Sequence, residues 1–162
     1  MSDLGNSPVN NVKELLRRYK AGERDFRGAS LRGAKLFAKD LRGADLRGAD
    51  LRGANLCLAN LMGARLDEAR LEGAIFWVAD LELADLESAD LEEVTLRIAD
   101  LKSANLRASD LTKADLVLAN LRGADLWKAH LNFANFQGAY YNEHTRFPKG
   151  FDHISHGLVL QQ

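Results

Sequence analysis

A large apolar residue recurs at every fifth position from Phe26 to Tyr141, and a small one stands two residues before it. The register Phe26, Leu31, Leu36, Leu41 and onward to Phe136 and Tyr141 holds 24 positions, and 20 of them are Leu. The other four are Phe26, Phe76, Phe136 and Tyr141, so every position is bulky. Two residues upstream, 20 of 24 are Ala, with Arg24, Lys39, Val94 and Ser109 as exceptions. This period excludes both regular structures. In one long α-helix, five residues advance each Leu by about 140°, so the leucines would spiral around every side. In one long strand, an odd period would send successive leucines to opposite faces. The backbone must instead bend once per repeat and aim each Leu at a shared axis, and stacked coils then bury a continuous ladder.

The other repeat positions fit the same geometry. Ala fills a cramped inward site without demanding space. Gly follows the bulky residue by two at nine places, including Gly63 and Gly73, where a turn with positive φ would recruit it. Asp or Asn stands directly before the bulky residue in 16 of 24 repeats and can bond nearby backbone amides. Runs such as Ala44-Asp45-Leu46-Arg47-Gly48, Ala49-Asp50-Leu51-Arg52-Gly53 and Ala84-Asp85-Leu86-Glu87-Ser88 resemble the pentapeptide repeat family over about 120 of the 162 residues. The resemblance implies an all-β solenoid: a right-handed, quadrilateral parallel β-helix with four repeats per coil. Twenty-four repeats then make about six coils, a rod roughly 29 Å long at the usual strand spacing.

Four segments are expected. Residues 1–10 are polar and read as a flexible N-terminus. Residues 11–22 read as a short amphipathic capping helix, with Asn11 as N-cap, Glu14 reaching back to complete a capping box, and Gly22 as the stop. Its task would be to shield the first coil and its open strand edges. Residues 23–143 form the β-helix. Residues 144–162 form a C-terminal cap or tail, in which Phe147 and Phe151 would sit over the last coil and Leu158 and Leu160 would extend the cover. The stretch Val12–Phe26 and the segment Thr145–Asp152 resemble parts of cyanobacterial pentapeptide proteins. Arg24 and Lys39 stand in the alanine column near the predicted cap, where their stems can pack while their charged heads reach water. Ser109, if buried, needs a backbone partner.

Residues 20 apart fall on one side of the rod, one layer apart. On the side centred on Leu36, Leu56, Phe76, Leu96, Leu116 and Phe136, the outward residues include Phe37, Cys57, Leu58, Trp77, Val78, Ile98, Val117 and Leu118, with Ile75 at the edge. Arg97 and Gln137 interrupt the strip. It would span roughly 200–300 Å², near the size at which an apolar patch points to a partner, and Trp77 at its centre is a fitting anchor. The competing expectation is that a terminal segment folds along the strip and hides it. Charges fall in bands: arginines on the first coils, an acidic waist from Asp67 to Glu93, then a basic stretch. Arg47 beside Asp67 and Glu87 beside Arg107 are expected layer-to-layer neighbours.

Composition narrows the function. A net charge of −1 speaks against a general polyanion binder, so direct nucleic-acid binding is not expected. A single cysteine, Cys57, forbids an internal disulfide and fits a reducing compartment. No apolar run reaches membrane length and no signal-like N-terminus is present, so a cytoplasmic location is expected. There is no phosphate loop, no metal-ligand cluster and no catalytic pair; the aspartates recur because turns need them, and His153 and His156 read as ordinary cap histidines. No cofactor or metal is expected, and no enzyme. Some members of the resembled family protect type II topoisomerases by imitating DNA. The near-zero charge, basic ends and uninterrupted repeats of this chain depart from that pattern. The expected function is a non-catalytic rod presenting the Trp77 strip and banded charges to an unidentified protein partner, with self-association, as in a homodimer, as the alternative.

Overall fold

The structure, a computed structural model, describes residues 8–161. Parallel bridges join Asp25 to Asp45, Ser30 to Asp50, Lys35 to Asn55 and Asp40 to Asn60, and the same spacing of 20 repeats along the rod to Asn120 and Tyr140. Each layer is held by backbone bonds in both directions. The Leu31 N–H donates to the Asp50 carbonyl at 2.7 Å, and the Asp50 N–H donates to the Ala29 carbonyl at 2.9 Å. Between bridges the chain turns. The N–H of each alanine-column residue donates to the carbonyl of the ladder residue three before it, as Ala34 does to Leu31 at 3.0 Å. Four such turns fill each 20-residue period, so a strand has room for a single bridging residue.

The second central residue of the turn takes a positive φ in 23 of the 24 repeats, the mark of a type II turn. Fourteen of those residues are not glycine. All 16 Asp and Asn residues that precede a ladder residue accept a hydrogen bond from the backbone N–H two residues on, for example Asn60 from Met62 at 3.0 Å and Asp100 from Lys102 at 2.9 Å. These bonds satisfy an amide that the ladder leaves free, which explains the residue choice.

The core is the ladder itself. Every ladder residue from Phe26 to Leu126 is buried, as is Phe136, while Leu131 and Tyr141 in the last coil are half-buried. The alanine column lies beside it, with Val94 and Ser109 also fully enclosed. Ser109 Oγ donates to the Leu106 carbonyl at 2.7 Å, the backbone partner its burial demands.

Helix α1 (Val12–Lys20) lies against the first coil. Leu15 is fully buried, and Val12, Leu16 and Tyr19 pack on the core. Asn11 accepts from the Glu14 N–H, as expected of the N-cap, but Glu14 does not reach back: its carboxylate takes a two-pronged bond from Arg17. A charged fork is stronger than a bond to one backbone amide, so the capping box is only half made. Arg24 turns onto the helix, its guanidinium 3.9 Å from the Tyr19 ring centre, and Lys39 is exposed.

Three features correct the sequence reading. Val9, inside the stretch expected to be flexible, is buried, and its carbonyl accepts from the Ser30 N–H at 2.7 Å. It stands 20 residues before Ala29 and extends the alanine column by one layer. Residues 1–7 of that stretch lie outside the described residues. The spacing lengthens to 21 between Asp125 and Arg146, because the closing turn runs from Asn142 to Thr145. Finally, β1 (Tyr140–Tyr141) pairs in parallel with β2 (Val159–Leu160). Leu158, just before β2, packs on the core, but Leu160 is exposed, as is Val159 beside it, so the expected cover stops at Leu158. Phe147 and Phe151 stack at 5.0 Å, and Phe151 meets the Phe136 ring edge-on at 5.4 Å. No helix among the described residues is long and apolar enough to cross a membrane.

Candidate interaction surface

The 20-residue period stacks Phe37, Cys57, Trp77, Arg97 and Val117 in one column. Ala38, Leu58, Val78, Ile98 and Leu118 form the column beside it. Each pair occupies the two central positions of a turn, so both side chains leave the core. Phe37, Leu58, Ile75, Trp77, Ile98 and Leu118 are exposed, Trp77 at 45%, while Cys57, Val78 and Val117 are half-buried. Cys57 Sγ lies 4.0 Å from the Ile75 carbonyl, a small filler between larger neighbours. Arg97 breaks the run of apolar residues, yet its guanidinium bonds Asp115 at 3.1 Å and its charge is balanced. The described C-terminal segment packs over the last coil and leaves Trp77 open.

Two residues outside the expected set enlarge the patch. Met62 and Leu83 are exposed on the next turn of the coil, Leu83 at 59%. They were missed because their column is otherwise polar or glycine, so no apolar run marks them. Val78 and Ile98 carry a second signal, φ of 55° and 58° on β-branched residues. The left-handed region is unfavourable for such side chains, and strain of this kind gathers where a side chain is needed for more than folding.

The charges are arranged differently from the expected bands. In the first coils four arginines grip the aspartate two residues before them: Arg27 with Asp25, Arg42 with Asp40, Arg47 with Asp45 and Arg52 with Asp50. Arg47 therefore pairs within its own repeat rather than with Asp67, and Arg107 pairs with Asp125 at 3.2 Å rather than with Glu87. The repeat spacing favours this, because the two side chains flank one ladder residue and leave the coil on the same side. The basic band is thus largely neutralised. The forks and the backbone N–H bonds hold the Asp25, Asp40 and Asp50 carboxyls down at about 2, against an ordinary value of 3.8. A carboxyl that ionises more readily in the folded chain stabilises the fold fully above its unfolded value. That contribution disappears as pH falls from 3.8 towards 2. Urea unfolding measured across this window is expected to show stability dropping with pH, and Asp50→Asn is expected to flatten the drop.

Among the described residues no group of three or more histidine, cysteine, aspartate or glutamate side chains is placed to hold a metal ion. A groove of about 370 Å³ lies at the end of the rod between Leu131–Phe133 and the Pro148–Phe151 turn. It is remote in sequence from the strip and contains none of its residues.

Comparison with known proteins agrees with this architecture. The family model for Pentapeptide repeats matches residues 40–77, 79–116 and 114–140, in eight copies. The solved structure of alr5209, a pentapeptide repeat protein from Nostoc Pcc 7120, is 33% identical, with 96% of this chain and 100% of that one covered and a TM-score of 0.37. Rfr23, a pentapeptide repeat protein from the cyanobacterium Cyanothece 51142, is 28% identical over 83% of this chain and 98% of its own, with a TM-score of 0.35. QnrB1, a plasmid-mediated fluoroquinolone resistance protein, is 15% identical over 85% of this chain and 92% of its own, and its TM-score of 0.54 marks a likeness of fold alone. No curated protein sequence matches. The five-residue ladder, its bridges every 20 residues and the matches along most of its length place the chain in the pentapeptide repeat family, with that family's right-handed β-helix.

Proposed function

We propose that this chain is a non-catalytic interaction rod of six four-sided coils, closed by α1 at one end and by the aromatic tail at the other. It acts in the cytoplasm and docks a protein partner along the Trp77 strip. The observation that carries this reading is the pair of neighbouring columns of mostly apolar side chains that leave the core on successive coils, from Phe37 to Leu118, on a rod whose other sides are mainly polar. Apolar residues scattered singly need no explanation, but a contiguous run does. The rod is suited to the task because bonds between neighbouring coils fix the spacing of every outward side chain, so little ordering is needed on binding.

The reading is tested by affinity capture from an extract of the source organism, comparing the wild type with Trp77→Asp. Proteins retained by the wild type are expected to be lost with the variant, whose thermal unfolding should be unchanged. Capture of the same proteins by both would show that docking occurs elsewhere.

A further inference from the structure

We infer that the partner meets the strip with an apolar or aromatic anchor flanked by lysine or arginine. This rests on the docking reading above and adds the chemistry of the partner.

The charge pattern around Trp77 is the ground for it. Residues 66–95 carry ten carboxylates against one arginine, Arg70, a net charge of −9 in a chain whose total is −1. The coil that presents Trp77 places Glu72 on the turn before it and Asp80 and Glu82 on the turn after it. Glu92 and Glu93 follow one layer on. In the first coils arginines neutralise the neighbouring aspartates, but among the described residues only Asp67 of these ten carboxylates pairs with an arginine, Arg65 at 3.7 Å. Among the described residues, Glu68, Glu72, Asp80, Asp85, Glu87 and Asp90 make no ion pair, while Glu82, Glu92 and Glu93 draw lysines from the next coil. Asp80, Asp85 and Asp90 are needed for their turns, but Glu72 and Glu87 stand at the first central position of a turn, where the fold makes no demand for a carboxylate, and Glu68 stands at a positive φ that glycine would hold more easily. Unbalanced like charge in a small area disfavours the folded rod, and a cationic partner would relieve it.

Size and symmetry point the same way. The strip alone covers roughly 200–300 Å², whereas a stable interface takes about 800 Å² from each partner. An occupant must therefore spread onto the neighbouring turns, where Glu72, Asp80 and Glu82 form the rim. A second copy fits poorly. A two-fold contact centred on Trp77 would set one acidic waist against another, and like charges face to face oppose association.

The test uses the full chain carrying Trp127→Phe, so that Trp77 is the sole tryptophan. The probes are a synthetic amphipathic peptide of leucine and lysine and the same peptide with glutamate for lysine. Binding is read by calorimetry and by the Trp77 emission, and the oligomeric state by sedimentation. The lysine peptide is expected to bind and shift the emission to shorter wavelength, and the glutamate peptide is not. Salt should weaken the binding, Glu72→Lys with Glu82→Lys should weaken it about tenfold, and Trp77→Ala should weaken it about 30-fold. Equal binding of both peptides, or no effect of salt and charge reversal, overturns the basic chemistry while the docking reading stands if Trp77→Ala still weakens binding. No binding of the lysine peptide also overturns it. A concentration-dependent dimer abolished by Trp77→Ala assigns the strip to a second copy, which overturns the inference as well.

Discussion

Phe76→Ala is expected to lower the free energy of unfolding by about 3–5 kcal/mol, a large part of what a domain of this size possesses. Phe76 is fully buried, and it stands in the column Leu36, Leu56, Phe76, Leu96, Leu116, Phe136. Removing its ring leaves a hole between Leu56 and Leu96. The walls of that hole cannot move inward. The Phe76 N–H is tied to the Thr95 carbonyl at 2.7 Å and the Ile75 N–H to the Ala54 carbonyl at 2.9 Å, so the coil is fastened to both neighbours. The cavity therefore persists, and its cost adds to the lost transfer energy. A coil in a solenoid touches only the coils beside it, so a lesion at mid-rod weakens two interfaces at once. Leu131→Ala, in the half-buried last coil, should cost clearly less, and Phe76→Leu, which restores the common residue of the ladder, less again. Equilibrium unfolding in urea at neutral pH measures all three. A loss below about 1 kcal/mol for Phe76→Ala would mean that the interior repacks freely, contrary to the fixed ladder.

The ladder was legible because one physical requirement, a bulky residue aimed at the axis, repeats without a gap from Phe26 to Tyr141, and the alanine column beside it survives exceptions such as Val94 and Ser109. The helix was legible for a similar reason: Asn11 and the spacing of Val12, Leu15, Leu16 and Tyr19 are local signals. What escaped depended on relations between distant or differently paired residues. Val9 is a single apolar residue among polar ones, and only its distance of 20 from Ala29 betrays its place. The Arg–Asp forks within a repeat were hidden by the assumption that charges pair across layers, although Asp45-Leu46-Arg47 is written plainly in the sequence. The 21-residue spacing at Arg146 comes from Thr145, whose hydroxyl donates to the Leu121 carbonyl and accepts from the N–H groups of Gly123 and Asn142. No periodicity records such a hub. Of the candidate surface, the two columns from Phe37 to Leu118 followed directly from the period, while Met62 and Leu83 became visible only once the neighbouring turn was seen to lie beside them.

Val78→Gly combined with Ile98→Gly is expected to make the rod more stable while destroying its docking surface. Both residues hold a positive φ, 55° and 58°. The left-handed conformation costs an ordinary side chain about 1–2 kcal/mol, whereas glycine adopts it freely and loses about 0.5–1 kcal/mol through the greater freedom of its unfolded chain. The balance favours glycine by about 0.5–1 kcal/mol at each site, so the double variant should gain about 1–2 kcal/mol. Nine other repeats already use glycine at this position, which shows that the turn accepts it. The same change strips two apolar side chains from beside Trp77, and affinity for the leucine–lysine peptide should fall by about tenfold or more. Urea unfolding and calorimetry on one preparation give both numbers. Higher stability with lost binding would mean that strain is retained at these turns for the sake of the surface, since folding alone would be better served by glycine. If stability instead falls, the two side chains contribute more to packing than their backbone costs, and the strain ceases to be an argument for a partner.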